Sequence, residues 1–555
     1  MRPTLSALIS ASFVAVAVAN AQGPTSSNHT LSVIGPVAPT TPVKDPGHGY
    51  PFNATPMDLA RQGYVEEEFF IQGTADRYNT PPMATGTVAE GGHSFKTRIV
   101  VRRPASASRF NGTVIVEWTN VSQGHDNEAD WFQSGAHFVR AGYAWIGVSA
   151  QRVGVDALKQ WGPARYGTLD VSEGGAITND ALSYDVFASA ARAARGQAGA
   201  SVMGGLKAER LIATGHSQSA ARLYTYFTSV HPLAPVFDGV VLHGGGGLVR
   251  QDLDVKVWKF LSETDVPGSL ATGQPDTDRF RHWEVAGTSH LDAQLSRGLG
   301  RLGLRAAGGT PVDGVPSGPT ISGGGAGIGN FQDASSQPND GCEKPIFSRV
   351  PSHYVQNALY DHFARWIKDG TPPPTAKHLE LNIAPPGSEG PGRSGGTGGA
   401  AEPAGAGRAG GTGRVDAPGG AGEPAGAGGL VESGRSGGTG RVDAPAGRGR
   451  GGPQPIRYVI ARDDNGNALG GIRLAEHAVP TATNSGQNGG GMFCGLLGSH
   501  EAFDSAKLAS LYSSHDAYVA KVREVTEKNL KAGYIVKADA DTTIEAARRS
   551  NVGRR

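Results

Sequence analysis

The chain has 555 residues, with 51 Lys and Arg against 50 Asp and Glu, for a net charge of +1. That interspersed balance excludes a basic nucleic-acid surface or a polyanion partner as the organising feature. The length suits two or three domains, or one large α/β domain with insertions, and is ample for a full core; the 83 Gly and 35 Pro point to a low-complexity segment rather than an unusual fold.

Residues 1–21 read as a secretory signal peptide. Arg2 supplies a basic start, Leu5 to Ala19 is apolar, and Ala19-Asn20-Ala21 is a small-x-small cleavage pattern. The run is too short to anchor in a membrane, so a secreted, extracellular protein is expected, with no integral membrane segment after cleavage. Asn-x-Ser/Thr sequons fall at Asn28, Asn53, Asn111 and Asn120. Residues 22–60 are Pro- and Thr-rich and read as an extended N-terminal segment over the surface.

A main folded part is expected over 61–384. Glu66 to Gln72 and Phe95 to Val101 read as a leading pair of strands. Gly112 to Trp118 is nearly all apolar, as in a strand buried on both faces of a parallel sheet. Trp131 to Ala141 has helical spacing and stops at Gly142, and Tyr143 to Ser149 is the next buried strand. Gln151 to Thr178 has no clear period and reads as cap or pocket loops. Asn179 or Asp180 is expected to cap a helix carrying Leu182, Val186 and Ala190 on one face.

Arg210 to Tyr226 is the most informative stretch. The apolar run Leu211 to Ala213 leads into Gly215-His216-Ser217-Gln218-Ser219 and then a helix-compatible run. A serine between small residues at a strand-to-helix turn is the nucleophile elbow of an α/β-hydrolase. Ser219 stands where the pattern has a second Gly, and serine is small enough to be tolerated there. Further strands are expected at Val236 to Leu242, Val255 to Leu261 and Arg281 to Val285. Strand–helix alternation over this span argues for a mostly parallel sheet with helices on both faces.

Serine is a poor nucleophile unless an imidazole takes its proton and a carboxylate orients that imidazole. The chain order Ser, acid, His can be filled at successive strand ends. Ser217 comes first. The strand ending at Leu261 runs into Ser262-Glu263-Thr264-Asp265, so the acid is Asp265 or, if the strand ends late, Glu263. The strand ending at Val285 runs into a Gly-containing loop bearing His290. The oxyanion hole would take one backbone N–H from Gln218 and one from the loop after Trp118, at Asn120 or Val121. A glycan on Asn120 would obstruct that loop, which leaves Asn28, Asn53 and Asn111 as glycosylation candidates. His216 is expected to point away from Ser217 into the elbow packing. His243, ahead of four glycines, follows the elbow where an oxyanion motif would precede it, so it is expected to line the pocket or permit a close turn. His125 and His282 have no motif support, no spacing suggests a metal site, and no cofactor is expected.

Ser352 to Lys368 is an amphipathic helix. Residues 385–453 contain imperfect repeats such as GRSGGTG and EPAGAG with almost no large apolar residues, and are expected to form a disordered low-complexity insert. Structure resumes over 454–555, with helical periodicity in Asp504 to Lys531 and a capping-box pattern at Thr542 and Glu545. Cys342 and Cys494 are the two cysteines and most simply form one disulfide, which would pack this tail on the main body.

The segments GTVIVEWTNVSQGHD, ATGHSQSAARLYTY, SETDV, RFRHWEVAGTSHLDA, YDHFARWIKDGTPPP, DNGNALGGIRLAEHAVPTATNSGQN and SHEAFDSAKLASLYSSHDAYV together resemble the alpha/beta hydrolase domain-containing family of secreted bacterial and fungal proteins. The resemblance runs from about Val65 to Ala546 apart from the repeat insert. It implies an α/β-hydrolase fold that includes the C-terminal part, and a serine hydrolase site on Ser217 and His290. It implies no particular substrate. The leading expectation is a serine hydrolase cleaving small-molecule carboxylic esters through an acyl-enzyme. An amidase or acyltransferase with the same site, or a non-catalytic hydrolase-like binding protein, is the alternative.

Overall fold

The computed structural model describes residues 29–43, 45–197, 202–268, 273–298, 341–385, 458–491 and 493–554. The expected signal peptide, Asn28 and the repeat insert lie outside the described residues.

The residues that read as buried strands assemble into a nine-stranded sheet in the order β1-β2-β3-β5-β4-β6-β7-β8-β9. The first three strands, β1 (Leu31–Ile34), β2 (Tyr64–Asn79) and β3 (Thr87–Pro104), are antiparallel neighbours. β2 and β3 are far longer than the expected pair, because their outer halves continue into a bulged hairpin beyond the core. The other strands are β4 (Thr113–Trp118), β5 (Ala144–Val148), β6 (Arg210–His216), β7 (Gly239–His243), β8 (Lys256–Ser262) and β9 (Phe280–Val285). Neighbours among these six run parallel, so their carboxyl ends lie along one edge of the sheet.

Helices cover both faces because both faces of these strands are apolar. One face packs Trp118, Val240 and Val257 with Phe187 and Leu223, from the helices α3 (Ser183–Ala194) and α4 (Gln218–Thr225). The other packs Ile115, Trp258 and Trp283 with Trp131 and Phe138 of α1 (Ala129–Ala141) and Phe363 and Trp366 of α5 (Ser352–Asp369). Each fully buried side chain of this kind contributes about 1.5–3 kcal/mol. Gly239 lets α5 approach: a Cβ there would lie 2.7 Å from both Phe363 and Ile367.

Four local expectations change. Arg152–Trp161, read as loop, is the helix α2; its buried stripe is only Gly154, Val155 and Leu158, too short to register as a period. Asp180 caps this helix and not α3: its carboxylate accepts from the Arg152 N–H at 2.8 Å. The last helix spans Lys537–Arg549, so Thr542 lies inside it and its hydroxyl donates back to the Ala538 carbonyl. The periodic stretch 504–531 is two helices, Ser505–Leu511 and His515–Ala532, the second capped by Ser514. Residues 458–554 belong to the same compact unit as the sheet, and a disulfide joins Cys342 to Cys494.

Candidate active site

Ser217 sits between β6 and α4 with φ +61° and ψ −119°. An L-residue rarely adopts such a backbone, and strain of this kind costs on the order of 1–3 kcal/mol unless neighbours enforce it. They do so here. The Ser217 N–H donates to the His243 carbonyl at 2.9 Å, and a Cβ on Gly215 would lie only 3.1 Å from the Ser219 backbone. Ser219 fits the second small position and adds a bond, its hydroxyl donating to the His216 carbonyl at 2.8 Å.

The turn projects the Ser217 hydroxyl to 2.7 Å from His290 Nε2, and His290 Nδ1 lies 2.7 Å from Asp265 Oδ1. With Nδ1–H donating to the carboxylate, Nε2 is left to accept the serine proton. Burial pushes the Asp265 carboxyl up, but His290 and the hydrogen bonds from Ser262 outweigh it and hold it below the usual range. Asp265 Oδ2 accepts from Ser262 N at 2.9 Å and Oγ at 2.6 Å, which aims the other oxygen at His290. This arrangement can withdraw a hydroxyl proton, stabilise the imidazolium that results, and later return the proton to a leaving group.

Glu263 is not beside His290. Its Oε2 accepts from the Gly287 N–H at 2.8 Å and its Oε1 from Arg462 at 2.6 Å and Ser485 at 3.1 Å. The sidedness follows from geometry: Ser262 ends β8, and Asp265 turns back onto it, while Glu263 faces the C-terminal tail.

His216 departs from expectation. Its ring is buried yet reaches the site, 4.5 Å between centroids from His290 and 4.4 Å from His243. Burial foremost, then His243 and His290, holds its pKa well below the ordinary imidazole value, so it packs there as a neutral ring. His243 does not line the cleft; its Nδ1 donates to Asp130 at 2.8 Å. Its following glycine permits a close approach: Gly244 has φ +65°, and a Cβ on it would lie 3.1 Å from the His290 ring.

The loop after β4 lies against this cluster. The Asn120 N–H is committed to the Asn127 carbonyl at 2.9 Å, which removes it as an oxyanion donor and leaves Val121 from the expected pair. The Asn120 amide nitrogen donates to the His216 carbonyl at 2.9 Å, so the side chain is a brace for the elbow and has no room for a glycan. The amides of two other sequons also take part in local hydrogen bonds. Asn53 is buried, with its amide on the Asp126 carbonyl at 3.1 Å, and the Asn111 amide donates to Ala141 at 3.0 Å.

Ser217, His216 and His290 open into a cavity of ≈ 100 Å³. Its polar side is Asn120, Ser122 and Asn127; its apolar side is Leu291 and Leu295 with Phe493 and Leu496. The last two come from the tail and were not singled out from the sequence. The disulfide brings them in, and the Leu291 N–H donates to the Leu496 carbonyl at 2.9 Å.

A nucleophile elbow, a carboxylate and a histidine on successive strand ends of a mostly parallel, two-sided sheet define an α/β-hydrolase. The chain belongs to the alpha/beta hydrolase domain family, whose profile matches residues 35–545. No curated protein matches the chain. Similar solved structures include a serine hydrolase without a lid from Xanthomonas campestris, 13% identical, with 42% of this chain and 93% of that one covered at a TM-score of 0.24. A carboxylesterase from Lactobacillus plantarum is 12% identical over 34% of this chain and 72% of its own, at a TM-score of 0.21. A fungal esterase from Rhizomucor miehei is 12% identical over 41% and 78%, at a TM-score of 0.23.

Proposed function

We propose that this protein is a serine hydrolase of carboxylic esters, with Ser217 as nucleophile, His290 as general base and then general acid, and Asp265 orienting His290. The observation that carries the reading is the continuous hydrogen-bonded chain from Ser217 through His290 to Asp265, opening into a cavity. Ser217 would attack the ester carbonyl while His290 takes its proton. The oxyanion would be met by the Gln218 N–H, which lies in the first turn of α4 and so has no intrahelical acceptor, and by the Val121 N–H. His290 would then protonate the departing alcohol, and water would release the acyl group.

The small cavity walled by Leu291, Leu295, Phe493 and Leu496 favours short acyl chains. Secretion is part of the proposal, and a disulfide suits an oxidising compartment. A fluorophosphonate probe tests the chemistry: wild type should label and Ser217→Ala should not. Equal labelling of both proteins, or none of wild type, would sink the reading. Nitrophenyl esters of rising acyl length test the cavity, with acetate and butyrate expected to outrun decanoate.

A further inference from the structure

On the far strand of the sheet, β9 carries His282 and Glu284 two residues apart, so both point to the same face. His378, from the segment that follows α5, folds over that face. The Glu284 Oε1 atom lies 3.3 Å from His282 Nε2 and 3.1 Å from His378 Nδ1. The three ligand atoms all fall within 4.8 Å of one another.

Two features of this group bear on a bound ion. His282 is fully buried, and neither ring nitrogen has a hydrogen-bond partner, although Nε2 is aimed at the cluster. An unsatisfied buried polar atom costs about 1–3 kcal/mol, so such a ring needs a compensating bond. The second feature is the spacing. The His378 Nδ1 to Glu284 Oε1 contact is a hydrogen bond as it stands, and both separations around Glu284 also match the ~3.3 Å between ligand atoms of a tetrahedral site with bonds of about 2.0–2.1 Å.

We propose that His282, Glu284 and His378 form a zinc site. Two imidazoles and a carboxylate are a ligand set suited to Zn²⁺. The other Glu284 oxygen accepts the Leu379 N–H at 2.6 Å, which orients the carboxylate as a supporting contact should. The His282 backbone N–H donates to Asp276 at 2.9 Å and fixes the strand beside it. His378 is half-exposed and gives the ion an entry path and a water as fourth ligand. The site does not line the cavity at Ser217. Its effect would be to cross-link β9 to the chain that covers it. No ligand spacing is visible along the sequence, since His378 lies far from the other two and only the fold brings it to them.

The test uses full-length protein without a histidine tag, stripped with a chelator, incubated with zinc chloride and desalted. Mass spectrometry of the metal should find about one equivalent per chain, with Kd measured by competition with a chromophoric chelator. Zinc should raise the thermal midpoint. Cobalt(II) in its place should give the visible absorption of a tetrahedral centre. His378→Ala, at a half-exposed position and checked for folding by circular dichroism, should weaken zinc binding by more than the ~10–100-fold typical of losing a supporting residue, and should lose the cobalt band. Ser217→Ala should bind zinc like wild type, which separates this site from the proposed hydrolase centre. Zinc at well under one equivalent in wild type, or unchanged affinity in folded His378→Ala, overturns the proposal.

Discussion

At Ser217 the backbone is held in a conformation that costs energy so that one hydroxyl can face one imidazole. The residues enforcing it are small or hydrogen-bonded: Gly215, Ser219 and Asn120. Ser217→Ala keeps those contacts, so it should fold normally while hydrolysis falls by up to ~10⁶-fold in kcat. The carboxylates Glu263 and Asp265 separate cleanly under the same test. Asp265→Asn should cost ~10⁴ in kcat with little change in melting, since the amide keeps the shape but not the tautomer control. Glu263→Gln should do the reverse. It weakens charged hydrogen bonds from Arg462 and Gly287 and should lose about 1.5–3 kcal/mol of stability, read from urea unfolding, with a smaller effect on kcat. The sequence placed both acids past the same strand end and favoured Asp265 only for its distance from that end. The choice depends on which way each side chain turns, and Ser262 decides that by binding Asp265.

Among the elements, the link from α4 to β7 carries a pH-sensitive contact. His231 Nε2 accepts the N–H groups of Val236 and Phe237 at 3.2 and 3.1 Å, and burial lowers its pKa to about 4. A protonated ring could not accept these bonds. The unfolded value is about 6.5, so the stabilisation is fully present above that pH and is lost progressively as pH falls toward 4. The loss amounts to at most about 3 kcal/mol. His231→Gln can still accept a hydrogen bond but does not titrate, so its unfolding free energy should fall less steeply between pH 6.5 and 4 than that of wild type. An identical slope would show that His231 does not titrate there. Elements with strong periodicity, such as α1 and α5, were legible along the chain because one face buries aromatic side chains. The helix α2 was not, because few of its residues are buried, and a Thr-x-x-Glu pattern marked a helix start at Thr542 that lies inside a helix. Such short patterns recur wherever the composition allows; which one caps a helix is decided by where the chain enters it.

At the scale of the molecule, the C-terminal tail completes the site. Phe493 and Leu496 form part of the cavity wall, and the Cys342–Cys494 disulfide packs beside Leu291 and Ala293, next to the His290 loop. The bridge closes a separation of 152 residues. Breaking it with Cys342→Ser and Cys494→Ser should cost about 2–5 kcal/mol, seen as a lower thermal midpoint. Because the His290 loop leans on this region, KM for short esters should also rise. An unchanged KM in the folded variant would show that the tail does not shape the cavity. The sequence by itself determined the parallel sheet, the elbow at Ser217, the order of serine, acid and histidine, and the cysteine pair. Those features arise from local composition: apolar runs, small residues at a turn, and residues just past strand ends. Only the tertiary structure decided that Asp265 and not Glu263 meets His290, that His216 packs against that ring, that Asn53 and Asn120 are buried, and that tail residues wall the cavity. Each of these depends on contacts between segments distant in the chain, and a single linear pattern carries no information about which distant segment fills the space beside it.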